Sequence, residues 1–314
     1  MTNARLAFVF PGQGSQKIGM LADAATEFSE VEATFSEASE VLEYNLWDLC
    51  QNGQPADINL TERTQPLLLT ASVALYRVWR AQGGAEPAQM AGHSLGEWSA
   101  LVCAGVVSFR DAVRLVRERG RLMQEAVPAG QGAMAAIIGL EDKVVEDACA
   151  ESAQGQILAA VNYNSPGQLV IAGSVAAVDR AVEACKAAGA KRAKLLPVSA
   201  PFHTELMRPA AQALAAQIEQ TEFRVPDVPV VHNVNASTEV DPISIKRLMV
   251  EQIYSPVRWT SCVRSMAAAG AEILLECGPG KVLAGLTKRI DRNLTSLTVE
   301  APEQLKAALA TAAE

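Results

Sequence analysis

Apolar positions along this chain fall into short unbroken runs and longer stretches at helical spacing, and the two kinds alternate. Leu6 to Phe10 is an unbroken apolar run closed by Pro11 and Gly12, as expected of a strand buried on both faces of a parallel sheet. Residues 27–51 are helical in pattern and lightly charged. Thr61 to Trp79 reads as a helix capped by Thr61 and stopped at Gly83-Gly84, with Pro66 marking the first turn of its main run. A short buried strand through Met90-Ala91 then leads into an Ala-rich helix ending at Gly105. Ser108 caps the next helix, which runs to Val127, with Asp111 standing where a capping box usually has Glu.

From Ala133 the pattern changes. Met134 to Ile138 reads as a strand and Glu141 to Ser152 as a helix. Ile157 to Tyr163 and Leu169 to Ile171 read as strands joined at Asn164-Ser165-Pro166-Gly167. Val175 to Ala188 is a helix and Ala193 to Val198 a strand. The order is βαββαβ, the ferredoxin-like arrangement. Some 70 residues, about the span available, suffice for a small subdomain inserted into a larger one. The expected division is therefore 1–129 with 200–314 as the large α/β unit, and 130–199 as the insertion.

Beyond the insertion, Ser199 to Glu205 leads into an amphipathic helix ending at Ile218. Val228 to Val234 reads as a strand that Pro229 places at a sheet edge or a strand start. Ile245 to Tyr254 is a helix broken by Pro256, Glu272 to Glu276 a strand, and Leu297–Val299 with Glu303–Ala312 a closing strand and helix. Gly280 to Thr287 mimics a P-loop at its glycines, but Leu286 occupies the position of the phosphate-binding lysine, so no nucleotide site is expected there.

Composition narrows the function class. A chain of 314 residues suggests two domains or one large domain with an insertion, and nearly half its residues are apolar, enough for a sizeable core. No apolar run is long enough to span a membrane, and Met1 to Arg5 enters a strand too quickly for a signal peptide. The net charge of −8 argues against a nucleic-acid partner. Cys50, Cys103, Cys149, Cys185, Cys262 and Cys277 form no C-x-x-C pair, which fits reduced core thiols and a cytoplasmic location. With histidine only at His93, His203 and His232 and no H-E-x-x-H, no metal site is expected.

The chemistry centres on Gly92-His93-Ser94-Leu95-Gly96, a G-x-S-x-G turn between a strand and a helix. Such a turn strains the serine backbone and stands its hydroxyl at a helix N-terminus, where unpaired N–H groups favour developing negative charge. His203, at a loop-to-helix junction, is the better base candidate. His93 adjoins Ser94 and should point elsewhere, and His232, within a strand, reads as structural. Gly12-Gln13-Gly14 follows the first strand, where α/β sheets keep ligands, and reads as a source of one backbone N–H beside Ser94; a plain strand-to-helix turn is the alternative. On the helix from Ser108, residues Ala112, Leu115, Val116, Leu122, Met123 and Ala126 share one face, and Arg119 falls in the middle of it. An inward guanidinium without an anion costs about 3–5 kcal/mol. Either an internal acid or a snorkelling path satisfies it, or it clamps a substrate carboxylate.

The stretches Phe8-Val9-Phe10-Pro11-Gly12-Gln13-Gly14-Ser15-Gln16, Gly92 to Glu97, Asn162 to Gln168, Phe202-His203 and Gly278-Pro279-Gly280 together resemble the malonyl-CoA:acyl carrier protein transacylases. The likeness covers essentially the whole chain. It implies an α/β-hydrolase-like large subdomain with a parallel sheet and an inserted ferredoxin-like small subdomain. It also implies Ser94 as acyl-accepting nucleophile, His203 as base, and the backbone N–H groups of Gln13 and Leu95 as oxyanion hole. Arg119 would hold the free malonyl carboxylate, with Phe202, Met123 and Asn162 also binding substrate, and the Gln252 carbonyl would orient the histidine. No cofactor is implied. Trp98 stands where relatives often carry Tyr, a packing difference beside the turn that leaves the chemistry unchanged, and Phe202 before the histidine favours malonyl over methylmalonyl units.

The implied partners are malonyl-CoA and holo acyl carrier protein. Such carriers are usually acidic, as is this chain, so docking calls for a local basic patch, with Lys191, Arg192, Lys194, Lys281, Lys288 and Arg289 as candidates. A serine thioesterase or esterase using water as acceptor is the rival enzyme, distinguished by having no use for Arg119. A non-catalytic binding module is the third reading.

Overall fold

The computed structural model describes residues 2–198 and 200–313, so Ser199, at the expected boundary of the insertion, and the terminal Met1 and Glu314 lie outside the described residues. The large unit is built on a five-stranded sheet. Its strands are β1 (Thr2–Phe10) and β2 (Glu86–Gly92), and, after the small unit's β3 to β6, β7 (Val230–Val231), β8 (Ile273–Glu276) and β9 (Thr295–Thr298). They lie in the order β7-β2-β1-β8-β9 with every pairing parallel. The apolar run at Leu6–Phe10 is fully buried at the centre, as expected of a strand covered by helices on both faces. Its even positions, Leu6, Phe8 and Phe10, join one core and Ala7 and Val9 the other. That period-two division decides which helices pack on which side.

The helices Ser29–Leu42, Thr61–Ala81, Phe109–Glu125 and Arg208–Gln220 cover the first face, and Trp259–Ala268 with Val282–Ile290 the second. Residues 27–51 form no single helix: Glu43 turns left-handed, φ 62°, and Leu46–Asn52 starts afresh under an Asn45 cap. Thr61 is not a cap. Leu60 holds that position, while the Thr61 hydroxyl donates to Gln124 Oε1 at 3.0 Å. Ser108 does cap the helix from Phe109, accepting from the Asp111 N–H. The expected strand at Val228–Val234 shrinks to Val230–Val231, at the sheet edge. Its remainder is consumed by side-chain and turn contacts of His232 and Asn233.

The small unit contains β3 (Gly132–Ile138), β4 (Leu158–Ser165), β5 (Gln168–Ser174) and β6 (Arg192–Leu195), antiparallel in the order β4-β5-β3-β6. With helices Asp142–Ala153 and Val175–Ala187 this is the expected βαββαβ unit. Ala135, Ile137, Leu169 and Ile171 face those helices, whereas Met134, Val170 and Ala172 join the core of the large unit. β6 ends earlier than expected, and Leu196-Pro197-Val198 leaves the sheet to line a cavity. The P-loop mimic is closed from within: the N–H groups of Leu283 and Ala284 donate to the buried Glu276 carboxylate at 3.1 and 2.8 Å. An internal carboxyl group thus takes the place a phosphate would need. Among the described residues no helix is long and apolar enough to cross a membrane.

Candidate active site

Phe10 pairs with Gly92 at the carboxyl ends of β1 and β2, so the turns that follow these strands lie side by side. The turn after β2 carries Ser94 at φ 52°, ψ −106°, outside the conformations an L-residue favours. Its glycines are steric requirements. A Cβ on Gly92 would sit 1.9 Å from the Gly96 carbonyl carbon, and one on Gly96 would sit 2.0 Å from the Phe10 oxygen. Asn233 staples the turn from outside, accepting from the Ser94 N–H at 2.8 Å and donating to the Gly92 carbonyl at 2.7 Å. Together these contacts over-determine the strained serine.

Ser94 Oγ lies 2.7 Å from His203 Nε2, across 109 residues of sequence. His203 Nδ1 lies 2.8 Å from the Gln252 carbonyl oxygen, which can only accept. The proton is therefore on Nδ1, and Nε2 is left to accept from the serine hydroxyl. His203 is itself left-handed, φ 63°, and buried. Burial first, and the Arg119 cation second, push its pKa down to about 3, so the imidazole is neutral and its Nε2 lone pair is free to accept a hydrogen bond.

Arg119 is 1% exposed and among the described residues meets no carboxylate directly. Nη1 donates to Gln65 Oε1 at 2.8 Å, and Nη2 donates to Gln252 Oε1 at 3.0 Å and to Ser94 Oγ at 3.3 Å. Desolvation lowers its pKa to about 10, and the charge of Glu97 opposes that shift. Of the two readings the sequence left open, an internal acid in contact is not what the fold provides. The guanidinium is held by neutral acceptors, with its charge unspent.

A cavity of about 490 Å³ opens over these groups. Gln13, Ser94, Arg119, Met123, Asn162, Phe202 and His203 line it, so most of the site residues expected from sequence meet in one place. Leu95 and Gln252 lie behind its wall. Leu95 opens the helix Leu95–Cys103, so its N–H is among those with no partner inside the helix. Asn162 Oδ1 is buried without a hydrogen-bond partner among the described residues. His93, expected to point elsewhere, stands in the cavity wall with Nε2 2.8 Å from Asn164 Oδ1, and burial lowers its pKa. Sequence reasoning also passed over Gln65, Glu97 and Asn233. Their signal was weak, since a lone amide or acid on an apolar face does not reveal its partner. His232 is structural, as expected, with Nδ1 2.7 Å from Glu97 Oε1. Among the described residues no group of three or more His, Cys, Asp or Glu could hold a metal ion.

A parallel sheet bearing a strained serine at a helix start, paired with a histidine across a cleft, defines a serine–histidine α/β protein with an inserted antiparallel unit. The acyl transferase domain family matches residues 7–302. The malonyl CoA-acyl carrier protein transacylase of Escherichia coli (strain K12) is 59% identical over 305 residues, covering 97% of this chain and 99% of the relative. The crystal structure of an acyl carrier protein S-malonyltransferase from Vibrio cholerae superposes with a TM-score of 0.95 at 57% identity, covering 96% and 99% of the two chains. A malonyl-transacylase solved in complex with its type II PKS acyl-carrier protein gives a TM-score of 0.97 at 56% identity, with 98% and 99% covered. The chain belongs to the acyl transferase family and, within it, to the malonyl CoA-acyl carrier protein transacylases.

Proposed function

We propose that this protein transfers the malonyl group of malonyl-CoA to the phosphopantetheine thiol of acyl carrier protein through a malonyl ester on Ser94, supplying fatty acid elongation. The observation that carries this reading is Arg119, buried against Gln65, Gln252 and Ser94 with no acid in contact among the described residues. A fixed guanidinium with spare charge beside a nucleophile suits a substrate that ends in a free carboxylate.

In the first half-reaction, His203 Nε2 takes the Ser94 proton as Oγ attacks the thioester carbonyl carbon. The N–H groups of Gln13 and Leu95 hold the resulting oxyanion, a contribution of about 3–4 kcal/mol per donor where such donors have been removed. Collapse breaks the C–S bond, and the leaving thiolate takes its proton from His203. In the second half, the carrier thiol gives its proton to His203 and attacks the seryl ester, and Oγ leaves and is reprotonated. The Gln252 carbonyl keeps Nδ1–H in place throughout. Malonate on Arg119 offsets one cause of His203's low basicity, so binding the right acyl group raises the strength of the base. Met123 and Phe202 give the acyl chain an apolar wall, and Asn162 offers it a polar contact. The thioesterase alternative shares Ser94 and His203 but leaves Arg119 without a purpose.

Lys191, Arg192, Lys194, Lys281, Lys288 and Arg289 are all exposed and form the proposed docking patch for the carrier. β6 leads directly into the cavity wall, and Arg289 reaches Gln168 of the small unit at 2.7 Å, which supports one continuous surface. The division into residues 1–129 with 200–314 and 130–199, and a cytoplasmic setting consistent with six free cysteines, complete the reading. Intact mass tests it. Malonyl-CoA should add one malonyl group, holo carrier should remove it, and Ser94→Ala should abolish it. An adduct that persists on Ser94→Ala, or that the carrier leaves in place, overturns the proposal.

A further inference from the structure

Glu97 lies one helical turn beyond Ser94, has no exposed surface, and lines no part of the cavity. One carboxylate oxygen is 2.7 Å from His232 Nδ1. The other accepts from the Asn233 backbone N–H at 3.1 Å and from Gln252 Nε2 at 2.7 Å. Gln252 Nε2 also donates to the Ser94 carbonyl at 3.0 Å, while Gln252 Oε1 faces Arg119 Nη2.

The order of these contacts matters. An amide side chain can turn over, presenting either its oxygen or its NH2 to a given neighbour. Facing Arg119, only the oxygen is useful, because NH2 against a guanidinium sets donor against donor. A carboxylate is acceptor-only, so Glu97 forces the NH2 of Gln252 inward and its oxygen outward to Arg119. The Ser94 carbonyl supplies the second acceptor for the same NH2, tying the arrangement to the serine turn. Glu97 is also the acid whose charge sustains the Arg119 cation, at one amide's remove. A direct ion pair would have consumed the guanidinium. The interposed amide orients it and leaves it available.

We propose that Glu97 is a positioning residue for acyl-group selection: through the Gln252 amide it fixes the Arg119 fork in the orientation that accepts a carboxylate. The inference rests on the reading of Arg119 as the malonyl clamp. Because the Gln252 backbone carbonyl serves His203 independently of its side chain, the link affects selectivity more than the acyl-transfer step itself.

The test compares kcat/KM for malonyl-CoA and acetyl-CoA with carrier protein as acceptor. Glu97→Met, similar in length but without acceptors, should lower the malonyl-to-acetyl ratio about tenfold. Gln252→Met should do the same, and the double variant should be no worse than either single one, because a single link is broken in each. A ratio unchanged in Glu97→Met, whatever the loss of Tm, overturns the proposal, as does additivity of the two effects. Should Glu97→Met not fold, Glu97→Asp keeps the charge and falls short of Gln252. The same loss of ratio is then expected, and an intact ratio overturns the inference. Arg119→Ala separates the two levels. If it leaves the ratio unchanged, the clamp itself is refuted; if it lowers the ratio while the Glu97 variants do not, only the role of Glu97 falls.

Discussion

The Arg119 guanidinium donates to the Ser94 hydroxyl at 3.3 Å, so the buried positive charge touches the oxygen of the strained serine. The two side chains come from adjacent helix starts and bodies, and Gln65 and Gln252 hold the arginine from either side. Guanidinium, hydroxyl and imidazole therefore form one electrostatic unit, and each part has a separate measurable consequence.

Removing the charge should change which acyl group is chosen. Losing one partner of a desolvated charge pair costs about 2–5 kcal/mol, so Arg119→Ala should lower kcat/KM for malonyl-CoA by roughly 30- to 4,000-fold. Acetyl-CoA, with nothing to pair, should lose far less. Equal losses on the two thioesters would refute the clamp.

The pH profile follows from His203. Its pKa is pushed down to about 3 by burial and then by Arg119, so in the free enzyme the imidazole stays neutral far below its ordinary 6.5. The acid limb of kcat/KM for malonyl-CoA should therefore fall well under pH 5, roughly two units or more below that of a solvated histidine. Arg119→Ala removes a neighbouring positive charge, which makes protonation easier, so the limb measured with acetyl-CoA should move up. A limb near 6.5 in the unmodified protein, or a downward shift in the variant, would contradict the account.

The serine turn should tolerate no side chain at its glycines. A Cβ on Gly92 meets the Gly96 backbone at 1.9 Å, where no flexible atom can give way. Gly92→Ala should cost about 3 kcal/mol or more, read as a drop in denaturant midpoint with loss of malonyl labelling. Asn233→Ala removes both staples of the same turn. It should cost about 2–4 kcal/mol by the same measurement, since two buried backbone groups lose their partner.

Docking can be separated from chemistry. Reversing Lys191 and Arg192 to glutamate should raise KM for carrier protein, increasingly at low salt, while malonyl-CoA kinetics stay within about twofold. An equal effect on both substrates would place the patch elsewhere.

Much of the fold was legible in the sequence. The unbroken run at Leu6–Phe10, the serine turn, the Ser108 cap and the βαββαβ order each rest on local chemistry that neighbouring residues express directly. The errors fell where distant partners intervene. Thr61 lost its capping role to a contact with Gln124, and the strand at Val230 was cut short by His232 and Asn233 turning to serve the serine turn. His93, next to Ser94 in sequence, lines the cavity but gives its Nε2 to Asn164 rather than to the serine, a partner 71 residues away.

By itself the sequence singled out the residues proposed to react. Ser94 between its glycines, His203 at a helix entry and Arg119 on an apolar face are written in residue type and spacing, because each violates or exploits a local rule. Only the tertiary structure decided how they are held: by the Gln252 backbone oxygen on His203, by neutral amides on Arg119, and by Glu97 behind them both. A carbonyl acceptor belongs to every residue alike, and an amide's orientation depends on neighbours a hundred residues away, so neither can be read until the chain has folded.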